Sequence, residues 1–232
     1  MADKKTNNTT EHHNELLENP EALADQLTKT EEFLEKNKTI VLAIIAIFVV
    51  GVAGYFGFKY YKNSQNDKAQ NEMFQAVYYF ESDSLDLALN GDGNRLGFLD
   101  IIDEYGITEA ANLAHYYVGA AYLKQGNFDD AISHLEEFSA GDLLVQARAY
   151  SLIGDAYMEK GEFESAASYF QKAADYKPNK YFTPEYLMKA ALAYEKLNQV
   201  DEAKESYDKI INNYWDSNLI QTAKKYKARL GA

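Results

Sequence analysis

Beyond residue 110 the sequence matches itself at an almost fixed interval. A period of a few tens of residues restricts a chain to architectures that stack one helical or stranded unit on the next. Three blocks align. The first carries Val118, Gly119, Tyr122, Ala131, Leu135 and Phe138; the second carries Ile153, Gly154, Tyr157, Ala166, Phe170, Ala173 and Pro178; the third carries Ala190, Ala191, Tyr194, Ala203, Tyr207 and Ile210. Gly119 and Gly154 are 35 residues apart, Gly154 and Ala191 are 37 apart, and the Tyr and Ala series repeat those offsets.

Each block reads as a pair of helices. The small residue (Gly119, Gly154 or Ala191) lets the first helix touch its neighbour closely, and the Tyr three positions later falls on the same face. The Ala nine residues after that Tyr sits on the second helix, where only a small side chain fits the crossing. Gly126-Asn127, Gly161-Glu162 and Asn198-Gln199 fall at the turns inside the pairs. Pro and Gly both weaken helix interiors, and the chain has only three prolines and 13 glycines in 232 residues. The reading is therefore all-α, with repeats near residues 112–146, 147–183 and 184–216.

The flanks are less regular. Residues 66–110 read as a degenerate first repeat with an insertion. Met73, Phe74, Val77 and Phe80 form the apolar face of its first helix, and Tyr79 and Ala88 keep the spacing of nine. Asn90-Gly91-Asp92-Gly93-Asn94 mimics the start of a calcium loop, but Arg95 stands where that loop requires glycine and Ile101 where it requires glutamate. It reads instead as a polar turn before a helix from Leu96. Residues 217–230 read as a capping helix, with Leu219, Ala223, Tyr226 and Leu230 inward and Lys224, Lys225, Lys227 and Arg229 outward, as the end of a stacked array needs.

The three blocks resemble the tetratricopeptide repeat (TPR), the second at nearly every consensus position. The resemblance implies an α-solenoid that binds peptides or proteins in a concave groove lined by the first helix of each pair. Aligned groove positions are Leu113, Tyr116, Ala120 and Leu123; Arg148, Ser151, Asp155 and Met158; and Glu185, Met188, Leu192 and Glu195. The candidate partner contacts are Tyr116, Leu123, Arg148, Asp155, Met158, Met188 and Leu192. TPR proteins that clamp a terminal carboxylate place Lys and Asn at positions matching Tyr116/Ala120, Ser151/Asp155 and Met188/Leu192; none is present, so such a ligand is not expected.

Ahead of the repeats, residues 40–58 (IVLAIIAIFVVGVAGYFGF) form an uncharged run of 19. At about 1.5 Å per residue such a run crosses a hydrocarbon core of about 30 Å. Lys36 and Lys38 flank one end, and Lys59, Lys62, Tyr55, Tyr60 and Tyr61 the other, as interfacial anchors do. A cleaved signal peptide does not fit, because the run is too long, too far from the N-terminus and lacks a small-residue cleavage site. The expected single-pass membrane helix covers residues 40–61. Lys29, Lys36 and Lys38 before it balance Lys59, Lys62 and Lys68 after it, so charge alone leaves the orientation open. Gly51, Gly54 and Gly57 mark a face that another membrane helix can approach closely.

Residues 1–39 form an acidic tail. Residues 1–14 are expected to be disordered, His12–His13 included. Asn19-Pro20 reads as a helix start, and an amphipathic helix is expected at about 20–37 with Leu23, Leu27, Phe33 and Leu34. The net charge of −13 argues against a nucleic-acid role. The absence of cysteine excludes disulfides, thiolate metal sites and a Cys nucleophile. His115 stands at a packing position of the first repeat helix and His134 lies on its partner helix, and no phosphate loop, nucleophile elbow or metal motif accompanies them. No enzymatic activity, cofactor or metal is expected.

The layout of an acidic amphipathic segment (LADQLTKTEEFLEKNK), one membrane run and a TPR region resembles the YfgM-like family of bacterial inner-membrane proteins. That resemblance implies a periplasmic TPR domain, an ancillary role at the SecYEG translocon and pairing with a PpiD-like chaperone. It fixes no functional residue. Two alternatives stay open: a membrane-anchored TPR scaffold of another envelope complex, or a cytosol-facing TPR adaptor.

Overall fold

The computed structural model describes residues 20–231, and the regular structure among them is entirely helical. The tail residues 1–14, with His12 and His13, and the Asn19 cap lie outside the described residues. Helix α1 (Pro20–Lys36) opens on Pro20, whose fixed φ suits a first turn. Its Leu23, Leu27, Phe33 and Leu34 are exposed, so the amphipathic stripe has no cover. The Asn37 side-chain amide donates to the Phe33 carbonyl at 2.9 Å, and α2 (Lys38–Glu81) follows at once.

The first part of α2 shows Ile44, Ile47, Phe48 and Val50 to the outside, and the helix is long and apolar enough to cross a membrane. A Cβ built at Gly51, Gly54 or Gly57 meets nothing within 4 Å. The expected membrane segment ends at residue 61 and the repeat region opens at 66; the backbone shows no break between them. Residues 62–65 (Lys-Asn-Ser-Gln) hold no Gly or Pro to stop a helix.

The chain divides between Tyr60 and Tyr61 into two units. In the second, the later part of α2 is followed by α3 (Leu85–Asn90), α4 (Phe98–Tyr105), α5 (Glu109–Gln125), α6 (Phe128–Glu137), α7 (Val145–Lys160), α8 (Phe163–Asp175), α9 (Thr183–Lys196), α10 (Val200–Asn213) and α11 (Ile220–Arg229). From α3 onward each helix packs on the next in sequence, and α5 also meets α7.

The repeat signature has direct steric causes. A Cβ on Gly119 would lie 2.5 Å from Leu135 Cγ, and one on Gly154 would lie 2.6 Å from Phe170 Cε1. Both contacts are far inside van der Waals distance, so only glycine lets α5 reach α6 and α7 reach α8. Ala131, Ala166 and Ala203 are fully buried on the second helices. The turn inside each pair needs one left-handed residue: Gly126 (φ 82°), Gly161 (φ 77°) and Asn198 (φ 57°) supply it. At the far end Ala223 is fully buried, and Leu219, Tyr226 and Leu230 pack around it.

The degenerate first repeat departs from expectation in its apolar face and in the helix after the polar turn, which starts at Phe98 and not at Leu96. Phe74 is 77 % exposed, and the buried face of this stretch is Ala69, Met73 and Ala76. Phe74 lies about 100° round the helix from Met73, which turns it to solvent. The polar turn is closed by Asp92, whose Oδ1 accepts from the Asn94 and Arg95 backbone N–H groups (2.8 Å each) and whose Oδ2 accepts from the Tyr79 hydroxyl (2.7 Å). These bonds, the Tyr79 one foremost, hold the Asp92 carboxyl below its ordinary range. The following helix begins at Phe98, because the Gly97 N–H is bonded to the Asp100 carboxylate at 3.3 Å.

Candidate partner-binding groove

The first helices of three successive repeats, α5, α7 and α9, converge on a cup of about 170 Å³ lined by Tyr116, Leu144, Val145, Arg148, Phe182 and Tyr186. Clefts of about 360 and 470 Å³ elsewhere are lined mostly by polar and charged side chains such as Glu136, Lys172 and Asp175. Tyr186 is buried at the base of the cup, Tyr116 is half-buried, and Leu144, Arg148 and Phe182 are exposed around it. Burial pushes the Tyr116 and Tyr186 phenols above their ordinary value, partly offset by the Arg148 guanidinium. Both rings are therefore neutral hydroxyl-bearing surfaces at any physiological pH. Among the described residues Arg148 forms no ion pair with a carboxylate. The Arg148 guanidinium bonds the Tyr116 phenol and has no carboxylate paired to it among those residues; on this aromatic wall, in a chain of net charge −13, it is suited to an apolar side chain followed by an acidic group.

About two turns further along α7, Asp155 has a partner. Lys189 Nζ on α9 lies 2.8 Å from Asp155 Oδ2 and 3.0 Å from Oδ1, and 3.2 Å from the Ser151 hydroxyl. Burial raises the Asp155 pKa, and Lys189 opposes that rise. This link crosses from one first helix to the next and sets their spacing.

Several residues expected in the groove do not line this cup. Met188 is 8 % exposed, in the apolar cluster that joins Ala147 on α7 to Tyr207 on α10, so it is a core residue and not a groove contact. Met158 packs against Phe170 and Ala190, and Leu123 against the cluster around Leu135 and Ile153. Leu192 is half-buried and does not line the cup. Glu195 accepts from the Tyr207 hydroxyl at 2.7 Å and pairs with Arg229; it ties α9 to α10 and α11. The cup thus brings together Tyr116 and Arg148 and adds Leu144, Val145, Phe182 and Tyr186. The Phe182/Tyr186 pair at i, i+4 was a usable signal for these.

His115 and His134 face each other across α5 and α6, with their Nδ1 atoms 3.2 Å apart. Burial lowers both pKa values, against the opposing pull of Glu137 on each and of Asp130 on His134. The Tyr122 ring lies 5.8 Å from the His134 ring, tilted by 38°, so the pair is a packing feature inside one repeat, apart from the cup.

Stacked helix pairs with a concave cup define a TPR solenoid, a protein-interaction module. The family model described as Tetratricopeptide repeat matches residues 119–181 and 151–218. A second, described as Tetratricopeptide repeat-like domain, matches residues 31–142 and so takes in the end of α1, the whole apolar run and the first repeats. No curated protein matches the chain.

Proposed function

We propose that the chain is a membrane-anchored, non-enzymatic adaptor that acts as an ancillary subunit of the SecYEG translocon. Its TPR unit stands in the periplasm and scaffolds a PpiD-like chaperone or emerging secreted chains. The observation that carries the adaptor role is the cup, where three consecutive first helices present Tyr116, Phe182 and Tyr186 beside Arg148, which bonds the Tyr116 phenol and has no ion-paired carboxylate among the described residues. The ligand chemistry that fits is an extended segment with an aromatic or aliphatic side chain and a nearby carboxylate. The translocon assignment is supported by the layout of amphipathic helix, apolar run and repeats, and by a single TPR-like match that begins at residue 31, ahead of that run.

The test is site-specific photo-cross-linking from Tyr116 in intact cells, combined with protease access to a tag after the last residue in spheroplasts. Adducts with SecY or a periplasmic chaperone, and a tag digested from outside, are the expected result. Adducts with other envelope proteins would replace the translocon by another complex. A protected tag would make the chain a cytosol-facing adaptor. Arg148→Glu should lower recovery of cup-bound partners about tenfold, the cost of one lost charge-assisted contact.

A further inference from the structure

The exposed apolar side chains of the repeat unit are not scattered. Ten large ones are exposed after Tyr61, and six of them, Ile107, Leu143, Leu144, Tyr181, Phe182 and Trp215, lie in the loops between one helix pair and the next. The turns inside the pairs are polar: Gly126-Asn127, Gly161-Glu162 and Asn198-Gln199. Two edges of one solenoid therefore differ sharply in chemistry.

A chain of polar links runs along the apolar edge. Lys62 Nζ lies 2.8 Å from Glu109 Oε1, and the Ala110 N–H donates to Asn66 Oδ1 at 3.0 Å. The Asn112 amide donates to the Ser139 carbonyl at 2.9 Å. The Tyr176 hydroxyl donates to the Ala140 carbonyl at 3.0 Å, and Lys177 Nζ to the Gly141 carbonyl at 2.5 Å. Lys180 Nζ and Asp216 Oδ2 are 3.2 Å apart. Each loop is stitched to the next, and the first stitch is to residues 62 and 66.

Lys62 follows Phe58, the last residue of the uncharged run, by four positions, at most about 14 Å of fully extended chain. When that run crosses a bilayer, the edge carrying Lys62 is the one tethered at the lipid surface. Trp, Tyr and Phe beside Lys are the side chains that settle at the membrane–water boundary, with the ring in the headgroup layer and the ammonium in water. Glu109 and Asp216 on this edge are already neutralised by Lys62 and Lys180.

We propose that this loop edge is a lipid-docking surface, with Trp215, Tyr181 and Leu143 entering the interfacial layer of the bilayer. The cup opens between the same loops, since Leu144 and Phe182 belong to both. Docking therefore holds the groove within reach of chains leaving the membrane plane. The inference rests on the apolar run crossing a bilayer, which is part of the function proposed above.

Trp215 is the only tryptophan, so its emission reports one site. The full chain is reconstituted in phosphatidylcholine–phosphatidylglycerol vesicles with and without brominated acyl chains, and flotation records insertion. The expected result is floating protein whose emission is blue-shifted and is quenched by the brominated lipid. Trp215→Phe combined with Gln199→Trp moves the probe to the polar edge and should escape quenching. A polarity-sensitive dye on Leu143→Cys, unique because the chain has no cysteine, should report the same apolar setting as Trp215. Floating protein with an unquenched Trp215, or equal quenching at 199, overturns the docking while leaving the anchor intact. A blue shift without bromine quenching puts protein on the patch, a partner or a second copy, and also overturns it. Protein that fails to float overturns the anchor and the docking together.

Discussion

His115 and His134 meet nitrogen to nitrogen, 3.2 Å apart, across the two helices of one repeat. One ring donates and the other accepts, so at least one must be neutral, and burial lowers both pKa values. On unfolding, both rings return to about 6.5. Between the depressed folded values and that value the unfolded chain holds more protons, so stability rises with pH across this window and is lost on acidification through it. Urea midpoints taken over that range should fall toward acid. His134→Gln should flatten this part of the profile; an unchanged slope in the variant would mean that the pair does not titrate on unfolding.

The close approach at Gly154 makes a second prediction. A methyl group there would press on the Phe170 ring from 2.6 Å. Gly154→Ala should destabilise the repeat unit by about 1–3 kcal/mol, the usual cost of overpacking. Adding Phe170→Leu removes the clashing ring edge and should recover part of that loss. Denaturation midpoints of the two single variants and the double variant separate this coupling from simple additivity.

Lys189 neutralises a half-buried carboxylate, and its removal should be felt through pH. Lys189→Met removes the only ion-pair partner of Asp155 among the described residues and leaves the Arg148 charge to oppose its burial. Both partners are about a third exposed, 27 % and 32 % by side chain. The expected cost at neutral pH is therefore about 1–2 kcal/mol, below that of a fully buried pair. Burial already raises the Asp155 pKa in the folded chain, and losing the lysine raises it further. A raised folded value means that the native state holds the extra proton, so stability falls as pH rises through the window. The penalty of Lys189→Met should thus shrink on acidification and vanish from the pH profile when Asp155→Asn is added.

The glycines of the apolar run offer a test that leaves the fold alone. Nothing lies within 4 Å of a Cβ at Gly51, Gly54 or Gly57. Replacing all three with Leu costs the chain no internal contact but blocks close approach of a second membrane helix. Co-purification of membrane partners should drop while the denaturation midpoint of the repeat unit stays in place. Undiminished recovery would remove this face from the interaction.

Much of the fold was legible because its causes are local. Gly119, Gly154 and the buried alanines are dictated by contacts between adjacent helices, and those contacts recur at the repeat period. The left-handed turns at Gly126, Gly161 and Asn198 are equally local. The cup was only half legible. Alignment finds positions within helices, and so it found Tyr116 and Arg148, but Leu144 and Phe182 come from the loops that precede α7 and α9. Met188 carries an aligned groove position yet is covered by the contact between neighbouring helices. Phe74 misleads in the opposite sense, because an aromatic one position off the buried stripe points to solvent. The His115–His134 contact depends on where two packed helices bring side chains 19 positions apart, which spacing alone does not encode.

The stacking of each helix on the next in sequence governs the order in which this structure can be built. Contacts between near neighbours close short loops, so little entropy is lost before each is made. A nascent chain with this pattern need not wait for its C-terminus: α5 and α6 can pair while α9 is still being synthesised. As the chain grows from N- to C-terminus, assembly proceeds outward from the α2 end, each completed pair serving as the template for the next. Helix α11 joins after α10, covering the apolar face around Tyr207 and Ile210 with Ala223, Tyr226 and Leu230.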